Sequence, residues 1–188
     1  MGLLRTIDAT VEPVSTAEAK ANMRYTLSVE DAVIDGKIKT AREMAEAELH
    51  RSLLPQTWEL TMDKFPESIQ LYYPPIIGVS TLKYREATAG VWTTLNPSSY
   101  TVDIKSEPGW IVPAYGYDWP DIYDTINAVE VTYTAGYATP AAVPAKIKEW
   151  ILLYVGHLFE NREATIPGVS ITPLPFLDRL LSDTVYTF

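Results

Sequence analysis

The spacing of the apolar residues changes twice along this chain, and that order limits the fold more than any single motif. Ile34, Ile38, Ala41, Ala45 and Leu49 recur at three- and four-residue steps, a helical stripe. Beyond Pro55 the period drops to two: Trp58, Leu60 and Met62 alternate with Thr57, Glu59, Thr61 and Asp63, as in a half-buried strand. Helical spacing returns after Pro144 with Ile147, Ile151, Val155 and Leu158. A chain helical at both ends and β-rich between them is expected to be α+β, a small helical bundle built from its N- and C-terminal segments with an antiparallel β subdomain inserted. The expected divisions are a helical part over 1–55, the β subdomain over 56–138, a long helix completing the bundle over 139–166, and a tail with a short helix over 167–188.

Local signals fill in this outline. Ser15 with Glu18 has capping-box spacing and predicts a short helix over 16–24. Ser28 with Asp31 predicts the same start for a helix over 31–49, whose polar face carries Lys37, Lys39, Arg42, Glu43 and Glu46. Strands are predicted over 58–62, 69–72, 79–85, 91–95, 100–104, 110–112 and 129–133, with Ala89-Gly90 as a turn. Pro144 suits the first turn of the last helix.

Composition narrows the function classes. With 47% hydrophobic and 21% charged residues the chain has globular composition, and no apolar run is long enough to cross a bilayer. The N-terminal residues lack the apolar core of a signal peptide, so a cytoplasmic product with no membrane association is expected. There is no cysteine, which removes disulfides and thiolate metal sites. A net charge of -9 argues against a protein that grips nucleic acid by its phosphates, yet suits a wall past which DNA slides.

No pattern of catalytic residues is present. There is no His-Glu-x-x-His spacing, no Gly-x-Ser-x-Gly elbow and no glycine-rich phosphate loop, so no catalytic, cofactor-binding or metal residues are expected. His50 and His157 are expected in structural or surface roles. Asp118, Asp121 and Asp124 share a loop with Tyr115, Tyr117, Trp119 and Tyr123. That loop reads either as a calcium- or carbohydrate-binding module or as a solvated loop whose rings pack on the sheet or on a neighbouring subunit. The chain's 12 Tyr and 5 Trp favour interfaces, and Tyr115, Tyr117 and Trp119 are candidate subunit-interface residues.

Several segments, taken in order, resemble the head–tail connector (adaptor, head-completion) proteins of tailed bacteriophages and gene-transfer particles. They are Val14-Ser15-Thr16-Ala17-Glu18-Ala19-Lys20, Ala41-Arg42-Glu43-Met44-Ala45-Glu46, Gln56-Thr57-Trp58, Leu71-Tyr72-Tyr73-Pro74-Pro75-Ile76 with Val79, and Tyr100-Thr101-Val102-Asp103. Val131-Thr132-Tyr133-Thr134-Ala135-Gly136-Tyr137 follows, then Val143-Pro144 leading to His157-Leu158-Phe159-Glu160-Asn161-Arg162-Glu163. The match fades beyond Pro167. The resemblance implies a non-enzymatic virion protein at the head–tail junction, made in the host cytoplasm. It implies a ring of about twelve subunits beneath the portal, closed by head-to-tail contacts. It also implies a portal protein and a tail-side connector or stopper as partners, with DNA passing through the channel without sequence-specific binding. The family places the C-terminal segment against the portal, which makes Phe176, Leu177, Leu180, Tyr186 and Phe188 the candidate portal-binding residues. The free chain is expected to be a monomer.

Overall fold

The structure is a computed structural model that describes residues 1–161. The chain is α+β and divides into two units, Met1–Thr10 with Leu54–Ala138, and Val11–Leu53 with the chain from Thr139 onward.

The first unit is built from two antiparallel sheets. A five-stranded sheet has the order β1-β2-β8-β4-β5, from β1 (Gly2–Ile7), β2 (Gln56–Met62), β4 (Ile76–Arg85), β5 (Trp92–Thr94) and β8 (Val129–Ala135). A three-stranded sheet has the order β3-β7-β6, from β3 (Ile69–Leu71), β6 (Tyr100–Asp103) and β7 (Gly109–Pro113). The alternation read in β2 is met, with Trp58, Leu60 and Met62 buried, and β8 repeats it with Val129, Val131, Tyr133 and Ala135. In register Trp58 lies opposite Tyr133 and Leu60 opposite Val131, so the two central strands present one apolar face. Ile69, Leu71, Tyr100 and Ile111 of the smaller sheet join the same core. Each fully buried Leu or Ile there contributes about 1.5–3 kcal/mol.

The first ten residues depart from the expected helical part over 1–55. Gly2–Ile7 pairs with β2 as an edge strand. Leu3 packs on the core, while Leu4 is 62% exposed. Adjacent leucines hide the period of two, and only the partner strand defines the element.

The second unit holds α1 (Thr16–Met23), α2 (Asp31–Leu49) and α3 (Ala145–Glu160). The Ser15 capping box forms as read: Ser15 Oγ accepts from the Glu18 amide, and the Glu18 carboxylate accepts from the Ser15 amide at 2.7 Å. The stripe Ile34, Ile38, Ala41, Ala45 and Leu49 is buried, as are Ile147, Trp150, Ile151 and Val155 of α3. Lys148 reaches Glu18 at 3.1 Å, Asn22 donates to the Leu152 carbonyl, and Lys37 donates to the Leu158 carbonyl in the last turn of α3.

Two expectations for α2 are corrected. The helix starts at Asp31 as read, but its N-cap is Glu30 without a side-chain bond rather than Ser28, and the Asp31 carboxylate pairs with Lys20 at 2.7 Å. Arg42 and Glu46, read as surface residues, are buried at 0% and 5% exposure. They neutralise one another across one helical turn: Arg42 Nη1 donates to Glu46 at 2.8 Å and Arg42 Nε to Glu12 at 2.9 Å. Pro144 stands one residue before α3, as its N-cap.

Candidate interaction surfaces

The aromatic, acidic segment read from the sequence is the connection between β7 and β8, and short-range bonds hold it in place. The Ala114 amide donates to the Ser99 carbonyl at 3.0 Å, and the Tyr117 amide donates to the Ala114 carbonyl at 2.9 Å. The latter closes a turn with Gly116 at φ +81°, the position where a type II turn needs glycine. Further along, Ile122 bridges Glu86, the Tyr123 amide donates to the Arg85 carbonyl at 3.0 Å, and the Asn127 amide donates to Asp63 at 2.8 Å. The segment is therefore fastened at both ends and in the middle, which lowers the ordering entropy of any contact it makes.

The three candidate interface residues are placed differently. Tyr115 caps the turn fully exposed, and Tyr117 is 54% exposed. Trp119 lies stacked on Phe65, with centroids 4.7 Å apart and planes 5° from parallel, and packs against the β core. Its indole Nε1 is buried with no hydrogen-bond partner among the described residues. Tyr123 and Ile126 are exposed apolar residues on the same segment, although the sequence reading did not single out Ile126. Elsewhere in this unit Tyr73 stacks on Trp58 with centroids 4.3 Å apart, and the Tyr72 carbonyl accepts from the Tyr133 hydroxyl at 3.0 Å. Burial pushes the Tyr133 phenol well above its ordinary pKa. Trp92 lies under the Arg85 guanidinium, 4.6 Å from its ring centroid.

A hollow of about 550 Å³ opens beside the stacked pair, lined by Phe65, Trp119, Pro120 and Ile122 with Lys64, Asp121 and Asp124. A second hollow, of about 360 Å³, lies in the helical unit before α1, floored by Pro13, Val14 and Ile38 with Glu12, Glu18 and Asp35 among its lining. Glu18 is held down to about pKa 2, first by the Ser15 amide, then by the Ser15 hydroxyl and Lys148. Asp103 is lowered by the Ser106 hydroxyl and the Lys105 and Ser106 amides, which close the turn after β6.

Among the described residues no group of three or more His, Asp or Glu is arranged to hold a metal ion. His157 is exposed on α3 beside Asn161, and His50 ends α2 in a left-handed conformation. The candidate portal-binding residues Phe176, Leu177, Leu180, Tyr186 and Phe188 lie outside the described residues.

No protein-family profile and no curated protein matches the chain. Solved structures do. A chain in the neck of an empty gene transfer agent particle, computed with C6 symmetry, matches with a TM-score of 0.81 at 21% identity, over 100% of this chain and 97% of that one. A chain in the virion of a native gene transfer agent particle matches at 0.78 and 21% identity, over 100% and 96%. A chain in a native particle neck computed with C12 symmetry matches at 0.73 and 20%, over 100% and 97%. Along its whole length this chain therefore shares the fold of gene-transfer-particle neck and virion chains, in keeping with the resemblance carried by its ordered motifs.

Proposed function

We propose that this chain is a structural virion protein of the neck, an adaptor that forms a ring of about twelve copies beneath a portal, extends the DNA channel and docks the tail side. The observation that carries the reading is the end-to-end fold match to chains of particle necks, one solved with C12 and one with C6 symmetry. Net acidity fits a conduit that repels DNA rather than trapping it, and no constellation among the described residues calls for catalysis. The segment 162–188 supplies the portal contact in this reading, through Phe176, Leu177, Leu180, Tyr186 and Phe188. Tyr115 and Tyr117 supply subunit contacts, while Trp119 supports them from within.

Light scattering on the full chain, alone and mixed with its portal, tests the proposal. The expected result is a monomer alone and about a dozen copies added to each portal ring. A chain that ignores the portal at every concentration refutes it.

A further inference from the structure

The hollow beside the Phe65–Trp119 stack has an apolar floor and two carboxylates, Asp121 and Asp124, that make no hydrogen bond or ion pair among the described residues. Lys64 also lines it, leaving two carboxylates against one ammonium. The whole segment 114–128 carries three carboxylates and no basic residue. An aromatic floor with a carboxylate wall fits a guanidinium, whose planar face stacks on rings while its N–H groups bind carboxylate.

The helical unit carries an arginine of matching description. Among the described residues Arg5, Arg42, Arg51 and Arg85 each have an interaction in their own chain, whereas the Arg24 side chain has none. Arg24 ends α1 at φ 55°, a left-handed position that helix ends commonly fill with glycine. Leu27, Val29 and Val33 beside it in sequence are exposed at 61%, 82% and 47%.

We infer that Arg24 of one copy enters the Phe65–Trp119 hollow of a second copy and pairs with Asp121 and Asp124, while Leu27 and Val29 cover the apolar surface around it. The two patches differ, so the contact is heterologous, the kind that closes a ring. This rests on the ring reading and deepens it by naming the subunit contact.

Charge reversal in the full chain, assembled on portal, is the test. Arg24→Glu is expected to raise the concentration needed for ring formation about tenfold or more, and Asp121→Lys with Asp124→Lys to do the same. The chain carrying all three substitutions is expected to recover, a result that no folding defect produces. As a second readout, the cysteine-free chain allows Thr26→Cys and Asp118→Cys together, which a short bis-maleimide should join into ladders of multimers. Rings that form normally with Arg24→Glu, or that the triple substitution fails to restore, overturn the inference and leave the ring reading standing. A thermal gain with calcium or a glycan that Asp121→Asn abolishes, with assembly unchanged, overturns it in favour of a ligand site. Failure of the unsubstituted chain to join the portal at all refutes both.

Discussion

Glu46→Ala should destabilise the helical unit by about 3 kcal/mol, toward the lower end of the range for breaking a buried ion pair. Arg42 is wholly buried, with Nη1 on Glu46 at 2.8 Å and Nε on Glu12 at 2.9 Å. The other Glu46 oxygen accepts from the Leu53 amide at 2.9 Å, fastening the chain just after α2 ends. Removing Glu46 therefore strips a buried guanidinium of one partner and leaves a buried amide unmatched, the latter alone costing about 1–3 kcal/mol. Glu12 stays on Arg42 and limits the loss. Arg42→Met with Glu46→Leu removes both charges and should cost less than Glu46→Ala alone, because no buried guanidinium is left short of a partner. Urea unfolding followed by the helical circular dichroism signal reads these differences, since among the described residues all three helices longer than a single turn belong to this unit. A Glu46→Ala change below about 1 kcal/mol, or a double variant less stable than the single one, would refute the argument.

Four further outcomes follow from other sites. Ser15→Ala removes the α1 cap and should cost about 1 kcal/mol by urea unfolding. Glu18, with its pKa lowered to about 2 from 4.5, contributes stability that is complete above pH 4.5 and is lost as pH falls toward 2; Glu18→Gln should flatten that part of the stability–pH curve. Gly136 has φ +128°, and a Cβ there would strike the Leu54 carbonyl, so Gly136→Ala should cost more than about 2 kcal/mol, read as a lowered unfolding midpoint of the β unit. Tyr115→Ala should leave stability within about 0.5 kcal/mol while weakening ring assembly, whereas Trp119→Ala, which breaks the stack on Phe65, should lower stability by about 3 kcal/mol.

The sequence revealed elements whose pattern is written in their own residues. β2 alternates cleanly, α2 carries its stripe, and Ser15 with Glu18 form the cap their spacing implies. It hid elements defined by a partner. β1 shows no alternation in Leu3-Leu4 and exists as a strand because β2 offers its edge. Ser28 with Asp31 looked like a second capping box, but Glu30 is the N-cap and Asp31 pairs with Lys20, eleven residues away. Arg42 and Glu46 looked solvated because charge normally marks a surface, and their mutual pairing one turn apart reverses that rule.

The candidate surfaces were legible in the same uneven way. Aromatic and acidic residues crowded into 115–124 marked the segment, but not which rings stay inside. Trp119 and Tyr117 are two residues apart, yet one is stacked on Phe65 and the other is exposed, a difference set by a ring more than fifty positions earlier. Arg24 carried no signal at all, since one arginine after a short helix is unremarkable in sequence. What distinguishes it is bookkeeping over the folded unit: the other arginines among the described residues are engaged, and this one sits where a helix end favours glycine. In the proposed contact that charge meets its complement in the carboxylates beside the Phe65–Trp119 stack of a second copy, which have no partner among the described residues of their own chain.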